Sequence, residues 1–352
     1  MNNNDTTPRI KRESKNKIRV DFDRSPLKDR LKAKYLNGFF YKKLLISLGR
    51  FLLLLGLSYI ILFPFFSKIS ASFMSPRDFL QTDVKYIPKF PTVDQYKYLI
   101  TENSYFKALI NTFLLSGVCA LIQTFVCAFI GYGFAKFKFK GNGVMFIIVL
   151  VTMMLPHQFM QASMYLKFRY FVLDSTGIYS ALGLTKGLID TFVPLIILSL
   201  TGLAFKNGLF IFIMRQFYRG VPDELEESSY VDGYGVFKTF FYIILPLSVP
   251  MLVTVFILSF AWQWTDTFYV NMFLPTSDTL LLTSTKFWQT MPSTLSSISA
   301  AQLTGASSAG DIYTVAVRNT AGFLVIIPLI IMYLFCQRKL IQGIEHSGFG
   351  GM

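Results

Sequence analysis

Six apolar stretches, each long enough to cross a lipid bilayer, constrain this chain more than any other feature. They run from about Leu44 to Phe66, Leu109 to Phe134, Val144 to Leu166, Phe192 to Met214, Phe240 to Trp264 and Thr320 to Phe335. A hydrocarbon core about 30 Å thick needs about 20 mostly apolar residues to span it as a helix. Lipid offers backbone polar groups no partner, so such segments must bond internally, and helices do this. Only 15% of the 352 residues are charged and the mean hydropathy is +0.47. A soluble domain of this size carries about 25% charged residues to cover its surface. The 37 Phe suit lipid-facing cover. The expected fold is therefore an all-α integral membrane protein with six transmembrane helices.

The net charge of +14 is concentrated at the start. Residues 1–43 carry Arg9, Lys11, Arg12, Lys15, Lys17, Arg19, Arg24, Lys28, Arg30, Lys32, Lys34, Lys42 and Lys43. Alone, such an arm would suit nucleic acid. Before a membrane span it reads as a cytoplasmic tail held by the positive-inside rule and by anionic lipid, with no nucleic-acid partner. The tail is too long and too interrupted by acids for a signal peptide, and no small-residue cleavage site follows the first apolar run. With the tail inside, the second and fourth links and the C-terminus are cytoplasmic, in agreement with Lys136, Lys138, Lys140, Arg338 and Lys339. Arg77, Lys85, Lys89 and Lys97 in the first outer link run against that count. The expected divisions are the tail at 1–43, the first span and its outer link at 44–105, a permeation core at 106–340 and a cytoplasmic end at 341–352. Cys119, Cys127 and Cys336 sit in or beside apolar runs, and His157 and His346 stand far apart. No catalytic or metal-ligating spacing exists, so neither site is expected.

The link at 215–239 is the exception to this plain picture. It reads Val221-Pro222-Asp223-Glu224-Leu225-Glu226-Glu227-Ser228-Ser229-Tyr230-Val231-Asp232-Gly233-Tyr234-Gly235. Pro222 fits a first helical turn, where its missing N–H costs nothing. Asp223, Glu224, Glu226 and Glu227 lie where the helix macrodipole favours negative charge. Gly233 suits a left-handed cap. Leu225, Ser228 and Ser229 share a face at i+3 and i+4, and two small residues there permit close approach. Two readings remain at this point: an amphipathic surface loop, or a helix docked in a partner's groove.

This stretch resembles the EAA loop of binding-protein-dependent ABC importer permeases. The family pattern is E-A-A, three residues, then G; here Glu227-Ser228-Ser229 is followed at the same spacing by Gly233. Phe237, Phe240, Leu245-Pro246-Leu247 and Pro250 match the family's continuation. Both alanines are serine, which keeps the size and adds hydroxyls. Asp232-Gly233 resembles the carbohydrate-uptake branch, as do Gly131-Tyr132-Gly133-Phe134-Ala135-Lys136-Phe137 and the closing Gln337-Arg338-Lys339-Leu340-Ile341-Gln342-Gly343, similar to the six-span subunit of maltose-type transporters. Trp264-Thr265-Asp266 stands where many relatives carry W-N-E.

The resemblance implies a type I importer permease core with a cytoplasmic coupling helix at about Pro222–Val231. It implies a bacterial plasma membrane location, a second homologous permease subunit, two ATP-binding-cassette ATPase subunits and an extracytoplasmic solute-binding protein. The coupling residues it implies are Glu224, Leu225, Glu227, Ser228, Ser229, Asp232 and Gly233. No G-x-x-x-x-G-K-[ST] sequence is present, so magnesium ATP is expected on the partner subunits and no cofactor on this chain. Polar residues within spans are costly and are candidates for a solute path. Asn111, Gln161, Lys206, Trp262, Gln263, Trp264 and Asp266 fit, with the Trp262–Trp264 group the densest. Each has a bland counterpart: interfacial aromatics anchor helices, and intramembrane amides glue them together. The expected function is sugar or oligosaccharide import. A permease for another solute, a secondary transporter or channel, and a membrane-embedded enzyme remain as rivals.

Overall fold

The computed structural model describes residues 10–12, 18–20, 38–101, 104–170, 187–204, 206–275, 281 and 308–349. Most of the expected tail 1–43, the 171–186 part of the third link and most of the Ser/Thr-rich link 270–317 lie outside them. The chain divides into two compact units, Met1–Ser67 and Lys68–Met352.

The first unit holds β1 (Ile10–Arg12) and β2 (Ile18–Val20), an antiparallel pair with Lys11 opposite Arg19. This short ladder departs from an all-helical chain, as does an isolated antiparallel bridge between Met74 and Pro91. The rest is α1 (Gly38–Ser72), which enters the second unit at Lys68. Leu44, Leu45, Ile46 and Leu54 are exposed on all sides of α1. A helix that is apolar all round and bare is one whose solvent is lipid.

The second unit follows as α2 (Pro76–Leu80), α3 (Asp94–Thr101), α4 (Tyr105–Lys136), α5 (Asn142–Met154), a 3-10 turn (His157–Met160), α6 (Gln161–Arg169), α7 (Val193–Leu200), α8 (Asn207–Arg219), α9 (Glu224–Val231) and α10 (Val236–Thr239). A π-helical turn (Phe240–Ile244) and α11 (Leu245–Leu247) lead into α12 (Val249–Trp264), α13 (Phe268–Phe273) and α14 (Ser308–Phe349). The described part of the link at 67–101 is structured, not merely polar. Ser75 caps α2 reciprocally with Asp78, whose buried carboxylate also accepts from the Phe90 N–H.

Among the described residues, three helices are long and apolar enough to span alone: Tyr41–Ser72, Tyr105–Lys136 and Val317–Gly343. The expected third and fifth spans are each bent. Asn142–Met154 meets His157–Arg169 at 94°, and Val236–Leu247 meets Val249–Trp264 at 78°. Counting each bent pair as one crossing gives five. Proline supplies the bends: Pro156 cannot donate to the preceding turn, and Pro246 and Pro250 flank the Ser248 break. The expected fourth span is two pieces, α7 and α8, parted at residues 201–206, where Lys206 takes φ +66°. Hydropathy registers length and apolarity but not the backbone break.

α4 is the central element. Cys127, Ala128 and Tyr132 pack on Phe210, Met214 and Tyr218 of α8 and on Met251 and Val255 of α12. Higher up, Ala108 and Ala120 of α4 share a core with Phe260, Trp264, Ala321 and Val325. A third cluster joins Leu115 and Cys119 to Leu195, Leu198, Tyr269 and Phe273. Small residues allow these approaches, as expected where lipid gives helices no hydrophobic reason to associate.

Candidate functional site

α9 is built as the acidic link predicts, with its start shifted. Asp223 precedes the helix and its carbonyl accepts from the N–H groups of Glu226 and Glu227. Glu224, Glu226 and Glu227 occupy the first turn, and Pro222 lies just outside it. The far end closes in a Schellman motif. Gly233, at φ +82°, donates to the Tyr230 carbonyl, and Tyr234 donates to that of Ser229.

The two serines part company. Ser229 is buried: its hydroxyl donates to the Glu226 carbonyl at 2.9 Å and meets the Thr239 hydroxyl at 2.7 Å. Ser228 is exposed and only closes back on the Leu225 carbonyl. Ser229 therefore fastens α9 to α10, while Leu225, Ser228, Glu224, Glu227 and Asp232 face outward. Val231, Tyr234 and Phe237 extend that outer surface with exposed apolar area, Val231 being 88% exposed. Exposed apolar side chains thus rim an acidic helix.

The anchor of α9 comes from a residue that the sequence marks for topology and as part of a family-like stretch, but not as a partner of this link. Lys136, the last residue of α4, donates to the Val221 carbonyl at 2.6 Å and to Asp223 Oδ1 at 2.5 Å, and its Nζ lies 3.8 Å from Glu226 Oε1. The ammonium holds the Asp223 carboxyl below its ordinary range, whereas burial pushes that of Glu226 up. A basic residue ending the second span was visible; its partner, 87 residues away, was not.

The candidate solute-path residues do not form one group. Trp264 is fully buried, stacks on Phe260 and donates its indole N–H to the Val325 carbonyl at 3.0 Å. It ties α12 to α14 and lies in the protein core. Trp262, one residue from the opposite face, is exposed, and the Lys206 ammonium sits 5.1 Å from its ring. Gln263 is buried and reaches Asp266 Oδ2 at 3.4 Å, while Asp266 Oδ1 accepts the Tyr269 N–H that opens α13. Asn111 is half-buried on α4. Gln161 is exposed and lines a cavity of about 470 Å³ with Gln158, Tyr165, Asn271 and Met272. His157 beside it bonds the Tyr269 hydroxyl at 2.8 Å. Gln123 behaves as helix glue, bridging Ser259 and Ser199.

A family model described as "Binding-protein-dependent transport system inner membrane component" matches residues 127–345, more than half of the chain and the whole of the α9 region. The arabinooligosaccharide transport system permease AraQ of Bacillus subtilis is 28% identical over 311 residues, 87% of this chain and 96% of that one. The galactooligosaccharide transport system permease GanQ of the same species is 28% identical over 316 residues, 88% and 97% of the two chains. The trehalose transport system permease SugB of Mycobacterium tuberculosis is 28% identical over 274 residues, 76% and 86%. In three dimensions, a chain of a bacterial ABC transporter involved in the import of the acidic polysaccharide alginate superposes with a TM-score of 0.59 at 18% identity, covering 84% of this chain and 97% of that one.

Proposed function

The chain belongs to the family of inner membrane components of binding-protein-dependent transport systems, and on that premise we propose that it is a permease subunit through which an ATP-driven importer takes up a sugar or oligosaccharide. Membership makes it a multi-pass membrane transport component that works with ATPase and binding-protein partners. The sugar reading draws on relatives named for arabinooligosaccharides, galactooligosaccharides and trehalose, each matched over most of its length.

The observation that carries the coupling role is α9 itself: an acidic, capped helix held at the inner end of α4, with Leu225, Ser228 and Val231 turned outward. We read α9 as the helix that docks in an ATPase subunit, with Glu224, Leu225, Glu227, Ser228 and Asp232 at or near the contact. Ser229 and Gly233 hold its shape. Closure of two ATPase subunits around magnesium ATP would displace α9 and switch the spans between two packings, a rigid-body change that needs no cofactor on this chain. A second permease subunit completes the path. The six-span topology takes the five candidate crossings and adds α7 and α8 as a broken sixth, with both termini cytoplasmic. The 1–43, 44–105, 106–340 and 341–352 divisions follow from it.

The solute path is read along Trp262 with Lys206, and along Gln161 in the 470 Å³ cavity. These pair an aromatic face with hydrogen-bonding groups, as carbohydrate requires. Asn111, Gln263 and Asp266 stay in this reading as polar groups on or beside α4 and α12, and Trp264 holds α12 to α14.

Glu227→Lys reverses charge on the outer face, and Gly233→Pro demands φ near −65° where the chain needs +82°. Both variants should insert in the membrane and lose most solute uptake in a reconstituted system. Normal uptake by both would overturn the coupling role of α9.

A further inference from the structure

Lys136 is unusual among the basic residues near the ends of the spans in being withdrawn from water. Its side chain is only 5% exposed, and its ammonium is spent on the Val221 carbonyl, Asp223 and Glu226. An ammonium with little water around it is strongly oriented by the oxygens it keeps. The Tyr132 hydroxyl, one turn earlier on α4, is buried beside the same Glu226 carboxylate. α4 itself is tightly packed at this end. Gly131 lies so close to α8 that a Cβ there would stand 2.7 Å from Met214 Cβ and 3.0 Å from the Arg215 backbone nitrogen.

A force on the outer face of α9 has two ways into the spans. One runs through Ser229, Thr239 and the π-helical turn into α12. The other runs through Lys136 into the α4–α8 pair. We infer that Lys136 is a positioning residue for coupling: it clamps the start of α9 to the end of α4, so that displacement of the docked helix moves the α4–α8 pair instead of being absorbed by the Arg219–Asp223 loop. Residues 220–223 have no helical ladder of their own, and without the clamp that turn is where a push would dissipate. The inference rests on the reading of α9 as the ATPase-docking helix.

The test uses the full transporter in liposomes, reading ATP hydrolysed per solute imported, thermal stability, and photo-cross-linking from position 228 to the ATPase. Lys136→Met should keep the cross-link and the ATP hydrolysis while the ATP-per-solute ratio rises roughly 2- to 30-fold, the span expected of a coupling position. Lys136→Arg, which keeps the charge and the donors, should return the ratio towards wild type. If Lys136→Met does not assemble, Asp223→Asn carries the test, because Asp223 is 78% exposed and its replacement leaves the Lys136 ammonium its bond to the Val221 carbonyl and its approach to Glu226. It should raise the ratio in the same direction. A wild-type ratio in Lys136→Met, or in Asp223→Asn where the first variant fails to assemble, overturns the clamp. Absence of the cross-link in the otherwise wild-type transporter overturns the docking reading instead.

Discussion

At the residue scale, the α9 region sets two carboxylates against each other. Asp223 is exposed and ion-paired, so Lys136 lowers its proton affinity. Glu226, 8% exposed, has its affinity raised by burial, and the 3.8 Å approach of Lys136 only partly offsets that. The sign follows from linkage: a carboxyl with a raised folded pKa binds its proton more tightly folded than unfolded, so it penalises the fold at neutral pH, and the penalty fades as pH falls through the folded value. Glu226→Gln should therefore stabilise the protein most at about pH 7, with its advantage over wild type shrinking towards about pH 5. Thermal unfolding of both proteins across that window checks it, and an advantage that grew on acidification would contradict the burial argument. The Asp223–Lys136 pair persists through this window, because its carboxylate is held below the ordinary range. Gly233 was legible from sequence, since a cap glycine has a local signature. The pairing of Lys136 with Asp223 was not, because a salt bridge between chain-distant partners leaves no local trace.

At the element scale, the apolar runs located the straight helices but not all of their ends. The run Leu109–Phe134 became α4 to within a few residues, whereas Thr320–Phe335 covers only the middle of the much longer α14. They failed where the backbone turns within an apolar stretch, at Pro156, at Ser248 between two prolines, and at the left-handed Lys206. Periodicity could not find these breaks because both sides of each are apolar. Nor could it separate Trp262 from Trp264, two residues apart on α12, of which one is exposed and one wholly buried. The packing of α4 on α8 offers a direct check. Gly131→Leu drives a branched side chain into Met214 and the Arg215 backbone. Overpacking of this kind costs about 1–3 kcal/mol, and the extracted subunit should unfold at lower temperature. Gly117, where a Cβ meets nothing within 4 Å, is the matched control and should accept Ala with little change.

At the scale of the whole molecule, composition established only a membrane protein. The loop at 215–239 pointed to an importer, and the family match across 127–345 supports that with a far longer stretch of chain. The structure adds a division of labour. The outward faces of α9 are bare, while its inner face is tied twice, to α4 through Lys136 and to α10 through Ser229. Aromatic and amide groups near Trp262 and Gln161 lie on other elements, at α12 and α6. Site-specific photo-cross-linking from position 228 in native membranes tests the central claim most directly. An adduct between this chain and an ATP-binding-cassette ATPase, with a second permease copurifying, is the predicted result. A chain that is isolated alone, active as a channel and without that adduct, would contradict it.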